Sequence, residues 1–391
     1  MGSCPILSHP IFPVNRKPDF ARSINMIDHI AIIGAGSGGK AAAVDMALQG
    51  KKIRLFEFPE FSDNIGGLAG NRKLTASGAF NGEATLDLVT TDLAAAMEGA
   101  DTVMVCTQAL AHDRAARQLA PYLTPSHLVI LNPGSTGGSL LFAQIFRSLG
   151  MDPLPTLIET STLTYGCRAK GSRVEVPVKV NRVLYGALPA AALEKVGPGV
   201  EALYPGFRRA ASVLEAGLNN ANPVIHPPIV ILNAAVIENE GPQKYFYRNG
   251  VSPTVADLIR KLDDERMALL QALDYPAQPD PVTSVEQGYA ASPDYYECYK
   301  NGAGYGNFRF PDTLDNRYFH EDIGMSLVLF CSLGRLLGVA TPTCETIVRI
   351  GEALSGKNYL TEGKRTAEAL GIAGMDKRTL GLYLQTGKLN P

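Results

Sequence analysis

The chain has 391 residues, 46% of them hydrophobic and 19% charged, with a formal net charge of -2. That length exceeds what one hydrophobic core usually supports, so two domains are expected. The near-neutral balance offers no field for nucleic acid or an acidic membrane surface, which leaves small molecules as the expected partners.

Residues 1–25 hold prolines and charges but no apolar core with a small-residue cleavage site, so they read as an N-terminal extension, with Met26 a candidate ancestral start. From residue 26 to about 215 a dinucleotide-binding domain is expected. Ile30–Ile33 is a short apolar run entering Gly34-Ala35-Gly36-Ser37-Gly38-Gly39 and then the alanine-rich Lys40–Gln49. This is strand, glycine turn, helix: Gly34 permits the tight turn, Gly36 lets backbone approach a pyrophosphate, and Gly39 lets helix and strand pack closely. Free amides at the helix start, from Ser37 and Gly38 onward, would meet the phosphates. Lys51–Phe56 reads as the second strand, with Glu57 at its end, where a carboxylate can accept the adenosine ribose hydroxyls. NAD(H) is therefore the preferred cofactor, while Lys51, Lys52 and Arg54 keep NADP(H) open.

The alternation continues with strands at Asp101–Cys106 and His127–Asn132 and a helix at His112–Leu119, which implies a parallel, doubly wound sheet. Thr107 and Gln108 after one strand, and Pro133 and Gly134 after the next, occupy the strand ends where open α/β sheets bind ligands. Arg173–Val180 and Arg182–Leu188 are expected to extend the same sheet, and a helix near Ala191–Leu203 to close the domain. Cys167 and Arg168 could reach the cleft, but they are expected to pack or face solvent and are left out of the site. The six cysteines, Cys4, Cys106, Cys167, Cys298, Cys331 and Cys344, have no C-x-x-C spacing, so neither a metal site nor a disulfide framework is expected, and they read as thiols of a cytoplasmic protein.

Residues 216–391 are expected to form a helical domain. Ile229–Asn239, Val255–Leu273, Met325–Leu337 and Pro342–Leu354 have helical spacing of apolar residues, around a tyrosine-rich loop from Tyr289 to Phe310. None of the apolar runs reaches the roughly 20 residues that span a bilayer. Hydride transfer to a carbonyl or imine needs a proton donor beside the developing charge, a task suited to histidine. His9 lies in the extension, His29 and His127 precede strands at the wrong edge of the sheet, and His112 starts a helix; His226 and His320 remain. Pro227 and Pro228 suit a first helical turn, which would set His226 at a helix entrance. In Arg317-Tyr318-Phe319-His320-Glu321-Asp322, Asp322 can orient an imidazole and Arg317 can hold a carboxylate through a bidentate pair. Read blandly, Glu321 and Asp322 are only helix N-terminal acids.

Taken together, the glycine turn, Asn222-Pro223 through His226-Pro227 with Asn233-Ala234, Arg317-Tyr318 ending in Glu321-Asp322, and Gly363-Lys364-Arg365-Thr366 resemble the opine dehydrogenase family, from about Ile30 to the C-terminus. The resemblance implies a Rossmann-type α/β domain followed by an all-α domain like that of 6-phosphogluconate dehydrogenase. It also implies NAD(P)H-dependent reductive condensation of an amino acid's α-amine with a 2-oxo acid such as pyruvate. By motif position it makes His226 and Asp322 the catalytic pair and Arg317 the substrate-carboxylate residue, with Gln108 near the substrate. Two rivals stand beside it. A β-hydroxyacid dehydrogenase would share the plan but needs a lysine on the first helix of the second domain, and Asn222–Gly241 has none. A dinucleotide sensor would need none of His226, Asp322 and Arg317. The amine substrate and the oligomeric state are not legible, and a homodimer is the assembly kept open.

Overall fold

The computed structural model describes residues 27–389; Cys4, His9, Met26 and the N-terminal extension lie outside them. In chain order the strands are β1 (His29–Ile33), β2 (Lys52–Phe56), β3 (Lys73–Gly78), β4 (Gly82–Thr85), β5 (Leu88–Thr90) and β6 (Thr102–Val105). They continue with β7 (Leu128–Leu131), β8 (Thr156–Thr160), β9 (Tyr165–Lys170), β10 (Arg173–Lys179), β11 (Val183–Leu188) and β12 (Phe207–Arg209).

The main sheet has the order β12-β11-β8-β7-β6-β1-β2-β5. From β5 to β8 every pair is parallel. The order reverses between β1 and β6, which places a switch-point crevice at their C-terminal ends. The central strands are buried on both faces, as a sheet covered by helices requires. β11 joins antiparallel to β8, and β12 runs parallel to β11.

The expectation that both Arg173–Val180 and Arg182–Leu188 extend this sheet is corrected for the first. β10 belongs to a separate sheet of order β4-β3-β10-β9. Its pattern explains why: Val174 and Val176 are buried while Arg173 and Glu175 are exposed, so β10 has one wet face and cannot enter a sheet covered on both sides. β11, by contrast, is buried at every position. The small sheet lies over the first helix, Ser37–Leu48, and is fastened to it from three directions. Ala169 N–H donates to Ser37 Oγ (3.0 Å), Lys40 Nζ to Gly171 O (2.8 Å) and Tyr165 OH to Asp45 Oδ2 (2.7 Å).

The helical half holds Asn222–Leu232, Pro253–Ala272, Val328–Leu337 and Pro342–Ser355. Pro253–Ala272 starts with Ser252 accepting from Val255 N–H and with proline in its first turn, both strong start signals. Three expectations change here. The helix beginning near Ile229 begins at Asn222, and it breaks at Asn233, whose amide donates to Ile229 O and Gly250 O. The tyrosine-rich stretch contains a helix, Tyr295–Asn301, capped by Asp294. The segment before Val328 is a ten-residue π-helix, Tyr318–Leu327.

One apolar cluster joins the two halves: Leu140, Phe142 and Phe146 under the sheet pack with Ile225, Ile229, Leu329 and Phe330 of the helical part. A second cluster, with Ile30, Val44, Ile53 and Val174, fills the opposite face. Each such buried side chain stabilises the fold by roughly 1.5–3 kcal/mol. Among the described residues no helix is long and apolar enough to cross a membrane.

Candidate active site

A cleft of about 370 Å³ opens between the C-terminal ends of β1, β6 and β7 and the helical half. Gly36, Ser37, Gly38, Thr107, Gln108 and Pro133 line it from one side, and His226, Arg317 and Asp322 from the other. These nine predicted residues are brought together. Four others are not cleft-lining: Gly34 and Gly39 shape the turn, Gly134 packs on Glu159, and Glu57 stands behind the turn.

Gly34 has φ +99°, open to glycine alone without strain, and a Cβ at Gly39 would lie 1.8 Å from Gly34 O. At Gly36 a Cβ would meet nothing within 4 Å, so open space lies over the turn. The helix Ser37–Leu48 has no side-chain cap at Gly36, leaving its first amides free toward that space. Thr107 Oγ1 is buried without a hydrogen-bond partner among the described residues. A phosphate-sized opening, uncapped amides and an orphaned hydroxyl farther along the cleft fit a bound dinucleotide.

Glu57 is buried and takes three donors: Ala35 N–H (3.0 Å) and Asn64 Nδ2 (2.9 Å) on one oxygen, Phe58 N–H (2.9 Å) on the other. Of the three cations that keep NADP(H) open, Lys51 pairs with Asp28 (3.1 Å) and Arg54 donates to Ala95 O, while Lys52 is exposed.

The loop after β7 is held by the helical half. Ser135, Thr136 and Gly137 have φ of 50, 62 and 82°, a left-handed run that non-glycine residues rarely adopt. Arg365, fully buried, donates through Nη1 to the carbonyls of Gly134, Ser135 and Thr136, and through Nη2 to His112 Nδ1 (3.0 Å). Asn220 Nδ2 donates to Thr136 Oγ1, which in turn donates to Gly217 O (both 3.1 Å). Burial, with the Arg365 charge second, pushes the His112 imidazole well below its ordinary range, so it is a neutral acceptor.

His226 lies inside the helix Asn222–Leu232, not at its entrance as Pro227 and Pro228 suggested. Pro223 occupies the first turn, and the two later prolines remove the amides that would bond to the carbonyls of Pro223 and Val224. The imidazole is 4% exposed, with Nδ1 2.8 Å from Asp322 Oδ2 and Nε2 3.0 Å from Tyr247 OH. Burial, reinforced by Tyr318 and Tyr289, holds the Tyr247 phenol well above its ordinary pKa, so it keeps its proton and donates to Nε2. The tautomer follows: Nδ1 carries the hydrogen toward Asp322 and Nε2 is the acceptor facing the cleft.

The π-helix supplies the opposing wall. Its i→i+5 pitch brings Arg317, Tyr318, Glu321 and Asp322 to the cleft together. Glu321 Oε1 accepts from Ala109 N–H (2.6 Å), and its Oε2 lies 3.4 Å from Arg317. Burial raises the Glu321 carboxyl and the Arg317 charge opposes the rise. Arg317 extends over the Tyr318 ring with its guanidinium 4.8 Å from the centroid. His320 is not part of this arrangement, because it bonds Tyr359 OH (2.8 Å) and Asp315 away from the cleft.

Sequence reasoning missed Tyr247 and Cys106 and left out Cys167 and Arg168, all of which line the cleft. Burial pushes both thiols up to about 12, so they are packing groups and not nucleophiles. For Arg168 the alternation of a half-buried strand was the available signal, but it does not say what the wet face adjoins.

Residues 209–355 match the family described as NAD/NADP octopine/nopaline dehydrogenase, alpha-helical domain. The chain is 33% identical over 352 residues to an opine dehydrogenase of Arthrobacter sp. (strain 1C), covering 88% of this chain and 95% of that protein. It is 25% identical to an octopine dehydrogenase of Mizuhopecten yessoensis over 77% of this chain and 82% of that one. In fold it is similar to octopine dehydrogenase solved with NADH and L-arginine (TM-score 0.70, 20% identity) and to yersinopine dehydrogenase with NADP+ bound (TM-score 0.69, 17% identity). Each comparison covers 92% of this chain and 98% of the other.

Proposed function

The chain belongs to the opine dehydrogenase family, NAD(P)-dependent oxidoreductases acting on CH–NH bonds, and from that premise we propose how its own residues carry out the reductive condensation of an amino acid with a 2-oxo acid. The amine adds to the 2-oxo carbon, a C–N bond forms, and the former carbonyl oxygen leaves as water to give an imine. Bound NAD(H) supplies the hydride that, with one proton, reduces this imine to a secondary amine. The reverse oxidation uses the same groups.

His226 Nε2, which here accepts from Tyr247 OH, exchanges that bond for the substrate, takes a proton from the amino acid's ammonium to free the amine that attacks, and returns one to the departing hydroxyl. Asp322 fixes the imidazole's tautomer and stabilises it when it becomes charged. Arg317 holds the 2-oxo acid's carboxylate, with Gln108 on the facing loop, so that the electrophilic carbon meets the cofactor side of the cleft. The glycine turn Gly34–Gly39, with Thr107, Pro133 and Gly134, would hold the dinucleotide. Glu57 and the engaged state of Lys51 and Arg54 favour NAD(H), with NADP(H) as the alternative. The five described cysteines are free thiols, which suits the cytoplasm.

The observation that carries this reading is the buried Asp322–His226–Tyr247 line ending on the cleft wall opposite the glycine turn. NADH and NADPH consumption should be followed across a panel of amino acids paired with pyruvate and other 2-oxo acids. Oxidation that requires both an amino acid and a 2-oxo acid is expected, with NADH having the lower KM. Consumption with the 2-oxo acid alone would mark a hydroxyacid dehydrogenase instead.

A further inference from the structure

We propose that Arg168 is a second carboxylate anchor, holding the amino acid's own α-carboxylate while Arg317 holds that of the 2-oxo acid. The inference rests on the reaction proposed above, whose product carries one carboxylate on each carbon flanking the new secondary amine. A single guanidinium would leave one of those charges unmatched in a partly desolvated cleft.

Two guanidinium groups line the cleft, and each is linked to the imidazole through its own run of rings. In one run the Tyr318 ring lies 4.5 Å from the His226 ring, and Arg317 extends over Tyr318. In the other the Tyr247 ring lies 6.2 Å from His226, the Phe308 ring 5.8 Å from Tyr247, and the Arg168 guanidinium 5.6 Å from the Phe308 centroid. The acids of the cleft are already engaged: Asp322 by His226, Glu321 by Ala109 N–H and Arg317, and Asp280 by the hydroxyls of Ser284 and Tyr299. Among the described residues Arg168 has no carboxylate within ion-pair distance.

Arg168 reaches this position from the small sheet. β9 crosses the glycine turn, where Ala169 N–H donates to Ser37 Oγ, and one residue earlier the Arg168 guanidinium lies over the Phe308 ring of the helical half. Phe308 lines the cleft together with Tyr247 and His226, which ties the Arg168 charge to the substrate wall. The small sheet thus gains a purpose, since it carries a cation over the cofactor's path to the far wall.

The test uses the full-length protein saturated with NAD+ and two probes, iminodiacetate, with two carboxylates on one secondary amine, and sarcosine, with one. Titration calorimetry should give iminodiacetate about 10- to 100-fold the affinity of sarcosine, the scale of one charge-assisted pair. Arg168→Gln should erase that advantage and Arg168→Lys should keep part of it, with NAD+ affinity unchanged in both. In turnover, Arg168→Gln should raise the KM for the amino acid and leave that for the 2-oxo acid in place. Unaltered iminodiacetate binding in Arg168→Gln, or no preference in the wild type, would overturn the proposal. So would weakened NAD+ binding, because it would mark the guanidinium as a phosphate contact. Failure of the reaction itself has a separate signature, a wild-type protein that oxidises NADH with no amino acid and 2-oxo acid pair.

Discussion

The glycine turn and the histidine pair face each other across one cleft, yet they are made from different materials. The turn is backbone: a positive φ at Gly34, a helix too close to Gly34 for any side chain at Gly39, and amides left open beyond Gly36. Six consecutive residues specify it. The opposite wall is side chain: His226 and Asp322 stand 96 positions apart, and Tyr247 comes from a third element. A backbone site tolerates change poorly at fixed points and is indifferent elsewhere, whereas a side-chain site depends on burial and on every hydrogen bond around it.

Two substitutions separate the two, and a third tests charge buried in the helical half. His226→Ala should lower turnover by ~10²–10⁴-fold at saturating substrate while NADH affinity, read by fluorescence titration, stays as in the wild type. Near-normal turnover would remove the imidazole from the chemistry. Gly39→Ala should do the converse, since its methyl would collide with Gly34 O and force the turn apart. Overpacking of this kind costs ~1–3 kcal/mol, so NADH affinity should fall roughly 5- to 150-fold with circular dichroism near that of the wild type. Unchanged affinity would mean that the turn does not hold the cofactor.

The third concerns charge buried in the helical half. Asp280 sits beside the buried Asp263–Arg266 pair, and burial, with Asp263 second, pushes its carboxyl up to about 6. Because the folded-state value lies above that of an unfolded aspartate, the folded protein keeps the proton longer. Its contribution to stability is full below the unfolded pKa of about 3.9 and is lost as pH rises through about 6. Asp280→Asn, which cannot ionise, should therefore gain on the wild type in urea stability over that window, by about 3 kcal/mol. A pH-independent difference would mean that Asp280 titrates as it would in water.

What could be read from the sequence follows the same division. The strand, turn and helix at Ile30–Gln49 are local, and so they were legible from spacing alone. His226 and Asp322 were legible as a pair only through the family resemblance, because nothing local relates positions 96 apart. The prolines after His226 pointed to a helix start that lies four residues earlier, at Asn222, since a proline in the second turn leaves the same trace in sequence as one in the first. The π-helix escaped because its apolar spacing passes for an ordinary helix over so few turns. Tyr247 and Arg168 escaped for a different reason: an aromatic or an arginine on a half-buried element is common, and only the tertiary fold says what lies opposite it.

Arg365 sets a limit on how this chain can be divided. Its buried guanidinium is the donor for three successive carbonyls of the loop after β7, although it stands 229 to 231 positions later in the chain. The nucleotide-facing half therefore owes part of its shape to a residue beyond the helical core. Cut at the junction between sheet and helices, it would keep its glycine turn but leave three carbonyls of a left-handed loop without their donor. A chimera exchanging halves between relatives would have to carry the segment around Gly363–Thr366 with the half it shapes, not with the half it follows in sequence.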